Sequence, residues 1–229
     1  MTMPDLETFH IKRKKGVHYV YIQHAMVSCH MMYRPCAFDN FDTVFCCGPH
    51  HIAEIRKQEE LRSLKQKNLV EHGYSNLDTL MAEYATIKVL PRKETDPIRI
   101  VIAPSWGPNS LLERYGDDFI EPLLNAGYFV TLRLHPQTYK LQQPLLKRIK
   151  RRYGSSANFS CEEDITSKRS LIESDLMICD WSGVALEYAF SRLRPVLFVD
   201  APRKVNNPEY MSLGIEPFEV GIREKIGRV

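Results

Sequence analysis

The pattern of apolar and polar positions becomes regular after residue 97 of the chain. Short apolar runs there alternate with segments in which apolar residues recur every three or four positions. The runs predict strands at 98–103, 129–134, 158–161, 176–179 and 195–199, and the periodic segments predict helices at 117–126, 143–153, 167–174 and 182–191. Apolar strands that alternate with amphipathic helices are typical of a parallel sheet covered on both faces, so this half predicts a Rossmann-like α/β unit.

The first half of the chain carries fewer such signals. It predicts strands at 17–23 and 43–47, a weaker one at 68–71, and helices at 49–66 and 76–84, while 25–40 reads as irregular or partly helical. The polar segment 90–97 is bracketed by prolines and lacks periodicity, which indicates a linker. We therefore expect a partial N-terminal α/β domain over 1–89, a linker over 90–97 and a nucleotide-binding Rossmann-like domain over 98–229.

Composition narrows the class of protein only a little. The 229 residues are 44% hydrophobic and 26% charged with a net charge of +3, which does not indicate a nucleic-acid-binding protein. Two basic runs, 11–15 and 147–152, have two interpretations: solvated surfaces, or a patch that meets an anionic membrane surface or a polyanionic substrate.

The spacing of the cysteines bears on metal binding, and the lengths of the apolar runs bear on the cellular location of the protein. The six cysteines form no CxxC pair, so the sequence predicts neither a metal site nor a bound cofactor. Free thiols in apolar runs are typical of the cytosol. The polar N-terminus has no apolar signal-peptide core, and no apolar run is long enough to span a bilayer. These features predict a cytoplasmic protein whose membrane contact is peripheral, on the inner face.

Candidate chemistry lies just beyond three predicted strands of the second half. In open parallel sheets, ligands bind outside the carboxyl ends of the strands. The candidates for binding a phosphorylated donor at that edge are Ser105, Trp106, Arg133, His135, Asp180, Ser182, Gly183 and Glu187.

The segment Asp180 to Gly183 is the most informative of these. We expect Asp180 or Ser182 to cap the following helix, whose N-terminal N–H groups and dipole suit a phosphate. A capped helix without a ligand is the alternative. Glu187, one turn along that helix, is placed to accept hydrogen bonds from ribose hydroxyls or is a solvated glutamate.

Histidines follow strands in both halves. His135 precedes Pro136, which we expect to disfavour a helix, and its imidazole with Arg133 would meet a diphosphate. His24 follows the first predicted strand and is a candidate general base. His50 and His51 mark either a ligand edge or a polar helix start.

Three segments in this order resemble a known family. APSW at 103–106, LRLHP at 132–136 and ICDWSGVALEYAFSRLRPVLFVD at 178–200 resemble the CDP-glycerol:poly(glycerophosphate) glycerophosphotransferases of cell-envelope polymer synthesis, such as teichoic acid and capsule. KNLVEHGYSNLD at 67–78 is also similar to a family segment. The resemblance covers residues 17–215 and implies a GT-B fold, in which two Rossmann-like domains face each other across a cleft.

The resemblance also implies roles for individual residues. Arg133 and His135 would contact the donor phosphates, with His135 acting in catalysis, while Asp180, Ser182 and Gly183 would line the pyrophosphate site. His24 would be the catalytic base that activates the acceptor hydroxyl. The implied activity moves glycerol phosphate from CDP-glycerol onto a polyol-phosphate, glycan or lipid-linked acceptor.

The sequence departs from the family pattern at three points. His24 is followed by Ala25 and Met26 where the family has glycine and threonine, and Gly183 replaces a second serine. Only about two strands precede the linker, fewer than a complete N-terminal Rossmann domain needs. Two alternatives therefore stay open: a GT-B glycosyltransferase that uses a UDP- or GDP-sugar, and a truncated nucleotide-binding module without catalytic activity.

Overall fold

A computed structural model gives the fold over residues 3–6, 8, 13–87, 93–162, 164 and 166–229. Its strands are β1 (Val20–Ile22), β2 (Thr43–Cys46), β3 (Asn68–Glu71), β4 (Arg99–Ile102), β5 (Phe129–Arg133), β6 (Phe159–Glu162), β7 (Leu176–Cys179), β8 (Val196–Phe198) and β9 (Gly227–Arg228). Its helices are α1 (Cys29–Met32), α2 (Pro49–Leu61), α3 (Ser75–Thr86), α4 (Leu111–Tyr115), α5 (Ile120–Asn125), α6 (Pro136–Leu141), α7 (Gln143–Tyr153), α8 (Arg169–Glu173), α9 (Val184–Arg192), α10 (Phe218–Gly221) and α11 (Arg223–Ile226), with a 3-10 turn at Tyr210–Leu213.

Contacts along the chain define two compact units. The N-terminal unit comprises residues 1–76 and 204–222, and the second unit comprises 77–203 and 223–229. Within the predicted linker 90–97, residues 90–92 lie outside the described residues, and 93–97 form an exposed turn. The predicted domain boundaries stay a prediction.

The second unit is built on a six-stranded parallel sheet with the strand order β6-β5-β4-β7-β8-β9. Alternate residues of β4 enter different core clusters: Ile100 and Ile102 join one, and Val101 and Ala103 join the other. Successive side chains of a strand point to opposite faces, so both faces of this sheet are buried. The prediction of an α/β unit with a parallel sheet is confirmed.

Two short helices that the sequence pattern did not predict follow strand ends of this sheet. Ser110 accepts a hydrogen bond from the Glu113 N–H and caps α4. His135 accepts one from the Gln137 N–H and caps α6, which begins at Pro136. The expectation that Pro136 disfavours a helix is wrong, because proline is well tolerated in the first turn and only the residue before it must be extended.

The N-terminal unit contains a three-stranded parallel sheet with the order β1-β2-β3. The weak strand signal at 68–71 is correct, so three strands rather than about two precede residue 90 in the described part of the chain. Tyr21, Val44 and Ile55 are fully buried in its core cluster, with Phe38 and Phe41 packed beside them.

A C-terminal segment belongs to the N-terminal unit, which the sequence pattern did not reveal. Asn206 donates its backbone N–H to the Met31 carbonyl at 3.0 Å, and the Asn207 side chain donates to the His30 carbonyl at 2.8 Å. Glu219 on α10 accepts from both the N–H and the hydroxyl of Ser28. Residues 204–222 are therefore anchored by buried polar contacts.

The basic helix α7 is partly neutralised within its own unit. Arg148 pairs with Asp117 at 2.6 Å, and Arg152 pairs with Asp117, Asp118 and Glu121. Lys147, Lys150 and Arg151 are exposed. Of the other basic run, residues 11 and 12 lie outside the described residues, and Arg13 pairs with Asp42. Across the described ranges, no helix is long and apolar enough to cross a membrane.

Candidate functional site

The carboxyl edge of the six-stranded sheet carries a pocket of about 130 Å³. It is lined by the ends of β4 and β5 and by the segment after β7, through Ala103, Pro104, Arg133, Leu134, His135, Pro136, Ser182 and Val184. Three of the predicted donor-site residues, Arg133, His135 and Ser182, thus meet around one cavity. Pockets for drug-sized ligands span roughly 300–1,000 Å³, so this one has room for part of a nucleotide, such as its phosphates.

His135 has a defined orientation. Its Nδ1 accepts a hydrogen bond from the Gln137 N–H at 3.1 Å, so the neutral ring carries its proton on Nε2. An Nε2–H group is a hydrogen-bond donor, which suits a phosphate oxygen rather than removal of a proton. The indole of Trp106 stacks on this ring with centroids 5.7 Å apart and an angle of 28°.

Arg133 is held at the pocket wall by an acidic partner. Its Nη1 bonds the Glu162 carboxylate and the Ser167 carbonyl, the latter at 2.6 Å. Glu162 in turn accepts from the hydroxyls of Ser167 and Ser170. The guanidinium and the carboxylate are 17% and 11% exposed, so the pair is largely withdrawn from water and the arginine is fixed in direction.

Asp180 joins two loops and does not cap α9. It is 1% exposed and accepts hydrogen bonds from the Ser105 N–H at 2.7 Å, the Ser105 hydroxyl at 2.8 Å and the Leu111 N–H at 2.7 Å. It therefore ties the segment after β7 to the segment after β4. The expectation that Asp180 or Ser182 caps α9 is wrong, because Gly183 is the N-cap and no side chain caps the helix.

The N-terminus of α9 faces this pocket through Ser182 and Val184. The N–H groups of Ala185 and Leu186 donate to the Ser182 and Gly183 carbonyls. The N–H groups that the start of α9 can offer a ligand are therefore those of Gly183 and Val184. Gly183 has φ −61° and ψ −22°, a conformation open to any residue, so what glycine offers here is the absence of a side chain. Glu187 is half-buried one turn further along α9.

The loop after β4 presents Ser105 and Trp106. Ser105 is buried against Asp180, whereas Trp106 is 37% exposed. Gly107 has φ +103°, a left-handed conformation that favours glycine, and it turns the chain directly after the indole. The loop thus holds an exposed aromatic face beside the pocket.

His24 lies in the N-terminal unit, where it follows β1. Its ring is exposed, and its Nδ1 lies 3.1 Å from the Tyr21 hydroxyl. The protein around the ring lowers the pKa of His24, which favours the neutral form at neutral pH. Burial raises the pKa of Tyr21, so its hydroxyl keeps its proton.

His50 and His51 serve the structure at the start of α2. Their Nε2 atoms lie 2.9 Å from the Met26 carbonyl and 2.8 Å from the Val27 carbonyl. His51 is fully buried, and burial lowers its pKa to about 4. Of the two interpretations of these residues, the structure favours a helix start that holds the chain after His24.

Sequence reasoning missed Glu162, the Asp180 to Leu111 contact and Tyr21 as the partner of His24. Of these, only Glu162 could have been found, by aligning the predicted strands β5 and β6, because it lies opposite Arg133 in their register. Within the described ranges, no group of three or more His, Cys, Asp or Glu residues could hold a metal ion.

Comparison with solved structures gives the fold. The wall teichoic acid polymerase TagF matches with a TM-score of 0.52 and 18% identity over 82% of this chain and 50% of that chain. The UDP-GlcNAc 2-epimerase from Neisseria meningitidis, bound to UDP-GlcNAc, matches with a TM-score of 0.58 and 15% identity over 91% and 60%. The enzyme from Methanocaldococcus jannaschii, in complex with UDP-GlcNAc and UDP, gives 0.59 and 12% over 97% and 59%.

These likenesses confirm the predicted GT-B-like α/β fold with parallel sheets. The chain spans about half the length of the TagF chain that it matches. No curated protein sequence matches it significantly. The family model described as CDP-Glycerol:Poly(glycerophosphate) glycerophosphotransferase matches residues 6–204, which is most of the chain. The chain therefore belongs to the CDP-glycerol:poly(glycerophosphate) glycerophosphotransferase family.

Proposed function

We propose that the chain is part of a transferase that moves glycerol phosphate from CDP-glycerol onto a hydroxyl of a cell-envelope polymer or lipid-linked acceptor. The observation that carries this proposal is the convergence of Arg133, His135 and the uncapped start of α9 on one pocket at the carboxyl edge of the sheet. All three features favour an anion, and family membership narrows the anion to a nucleotide-activated donor.

Each group has a distinct task in binding the donor diphosphate. Arg133 contributes a fixed positive charge, and the Nε2–H of His135 donates a hydrogen bond. The N–H groups of Gly183 and Val184, with the Ser182 hydroxyl, bind the remaining oxygens. Trp106 offers an aromatic surface beside the phosphates, and Glu187 is the candidate for the ribose hydroxyls. Asp180 and Ser105 position the two loops that surround the donor.

The transfer step follows from the chemistry of the donor. The acceptor oxygen attacks the phosphorus of the glycerol phosphate group, and the bond from that phosphorus to the CMP oxygen breaks. Negative charge develops on the departing CMP phosphate, where Arg133 and His135 stabilise it, while the start of α9 holds the second phosphate, that of the glycerol phosphate group. The acceptor proton passes to a base.

His24 is our candidate for that base. When its Nδ1–H donates to the Tyr21 oxygen, Nε2 keeps the lone pair that accepts the proton. The lowered pKa of His24 keeps the ring neutral at neutral pH. Tyr21 is then the positioning residue that selects this tautomer.

A test of His24 separates binding from transfer. In His24→Ala, we expect CMP release from CDP-glycerol with acceptor present to fall by about 100-fold or more, because general-base catalysis contributes roughly that factor. Binding of CDP should stay within twofold of the native chain. His18→Ala, which precedes β1 at the opposite edge of the sheet, is the matched control. Unchanged CMP release in His24→Ala would remove the residue from the mechanism.

The same measurements address the alternatives. Tighter binding of UDP or GDP than of CDP would support a UDP- or GDP-sugar donor. CDP binding without turnover of any donor would support a nucleotide-binding module that lacks catalytic activity.

For location, we propose contact with the inner face of an anionic membrane, supported by the exposed cations Lys147, Lys150 and Arg151 on α7. Replacing all three with alanine should reduce co-sedimentation with anionic vesicles and leave the background with neutral vesicles unchanged. Arg148→Ala is the control, since that arginine pairs with Asp117. Equal binding to both vesicle types would dismiss the membrane contact.

A further inference from the structure

Arg223, at the start of α11, is a buried cation. It is 5% exposed, and its guanidinium carbon lies 4.0 Å from the ring centre of Trp181 and 4.4 Å from that of Phe198. Its Nη2 donates a long hydrogen bond of 3.4 Å to the Val199 carbonyl. Its Nε is buried without an acceptor in the described part of the protein. Two aromatic rings therefore provide most of its surroundings.

Burying the Arg223 guanidinium in this way lowers the stability of the fold, which suggests that the residue has a functional role. A buried guanidinium without a carboxylate partner loses hydration that aromatic contacts replace only in part. No ion pair joins Arg223 to a carboxylate among the described residues. Burial lowers its pKa, and the more distant Asp200 and Asp180 oppose that effect. An aliphatic side chain in place of Arg223 would pack against Trp181 and Phe198 without the free-energy cost of burying a charge.

The position of Arg223 links it to the candidate donor site. Phe198 ends β8, and Cys179, which also interacts with Arg223, ends β7, so the charge lies at the carboxyl edge of the sheet. Trp181 stands in the chain between Asp180, which holds the loops together, and Ser182, which lines the pocket. The Trp181 Nε1–H donates to the Ala201 carbonyl at 2.7 Å, which fixes the other end of the ring.

We propose that Arg223 is a positioning residue of the donor site: stacked on Trp181, it holds the segment 180–183 in the arrangement that receives the donor diphosphate. This inference rests on the proposed function and adds a residue that neither the family motifs nor the pocket lining includes. It acts through Trp181 and does not contact the donor.

The two tryptophans of the chain, Trp106 and Trp181, make the proposal measurable. In a Trp106→Phe background, fluorescence reports on Trp181 alone. Arg223→Met should raise the access of acrylamide to Trp181, with Arg223→Lys intermediate, because lysine keeps a cation over the ring but loses the planar stack. Arg203→Met is the control, since Arg203 is exposed and lies 5.9 Å from the same ring.

Titration of the full chain with CDP and with CMP tests the role itself. We expect Arg223→Met to weaken CDP binding by about tenfold and CMP binding by less than about twofold, since the loop serves the second phosphate. Arg223→Lys should lie between, and Arg203→Met should match the native chain. If Arg223→Met fails to fold by circular dichroism, the CDP to CMP ratio of Arg223→Lys decides.

The outcomes separate this inference from the proposed function. Equal losses for CDP and CMP, or no loss, would show that Arg223 is only a structural cation and would overturn its positioning role. A native chain that binds neither nucleotide would refute the donor site and this role together.

Discussion

At the scale of single residues, the candidate site is notable for how firmly its polar side chains are held. His135 is fixed by the Gln137 N–H, Arg133 by Glu162 and Ser167, and Ser105 by Asp180. A side chain that is already oriented loses little freedom when a ligand binds, so these contacts favour the bound geometry before the donor arrives.

The buried carboxylate of Asp180 should dominate the stability of this region. Asp180→Ala leaves three donors from Ser105 and Leu111 unsatisfied, and we expect it to lower the free energy of unfolding by about 3 kcal/mol. Urea denaturation measures the change. Asp118→Ala is the control, because Asp118 is 83% exposed and its ion pair is worth at most about 1 kcal/mol. Equal effects of the two changes would contradict this account of Asp180.

At the scale of elements, apolar strands and amphipathic helices were predictable from the sequence, and short helices that depend on a cap were not. The bounds of β7 and α7 follow from the sequence, because β7 is a continuous apolar run and the apolar side chains of α7 repeat at the period of an amphipathic helix. Helices α4 and α6 have five and six residues, too few for a period, and depend on caps at Ser110 and His135. Strand β9 has two residues and forms only by pairing with β8.

The helix α2 carries a buried glutamate that holds the short helix α1. Glu54 is fully buried, its Oε2 accepts from the N–H groups of Cys29 and His30, and it lies 3.2 Å from the His30 Nδ1. These contacts satisfy the start of α1, which has no side-chain cap of its own.

Glu54→Ala should therefore destabilise the N-terminal unit by about 3 kcal/mol, since removing one partner leaves buried polar groups unsatisfied. Glu60→Ala on the exposed side of α2 should cost under about 0.5 kcal/mol, because its contact is a solvated pair with Lys57. Urea denaturation followed by tyrosine fluorescence compares the two. A cost below about 1 kcal/mol for Glu54→Ala would contradict the capping role.

At the scale of the whole molecule, the family was predictable from three motifs at strand ends. The periodicity of apolar side chains alone predicted only a Rossmann-like unit. The return of residues 204–222 to the N-terminal unit could not be predicted, because it depends on buried hydrogen bonds between residues far apart in the chain, such as Glu219 with Ser28. Likewise, no local pattern shows that Arg223 lies against Trp181.

The buried histidines predict how stability depends on pH. His51 has a pKa of about 4 in the folded chain against about 6.5 when unfolded. Partial desolvation by the surrounding protein also lowers the pKa of His50 and of the more exposed His24. The unfolded chain therefore binds more protons below about pH 6.5, so stability falls as the pH drops from 6.5 towards 4. His51 alone contributes about 3 kcal/mol to this loss. The raised pKa of Glu219 acts in the opposite direction.

Urea denaturation at pH 7, 6, 5 and 4 measures this trend. His51→Gln removes the titrating ring and should flatten the decline. A stability that is flat, or that rises on acidification, would contradict the assignment of His51 as a buried neutral histidine.

We propose that the pocket between Arg133, His135 and the start of α9 binds the diphosphate of a cytidine nucleotide. Calorimetric titration of the full chain with CDP-glycerol, CDP and UDP, in the native form, His135→Ala and His18→Ala, tests it most directly. We expect saturable binding that prefers cytidine nucleotides, weakens about tenfold in His135→Ala and is unchanged in His18→Ala. A folded chain that binds no nucleotide, or binds equally well without His135, would contradict it.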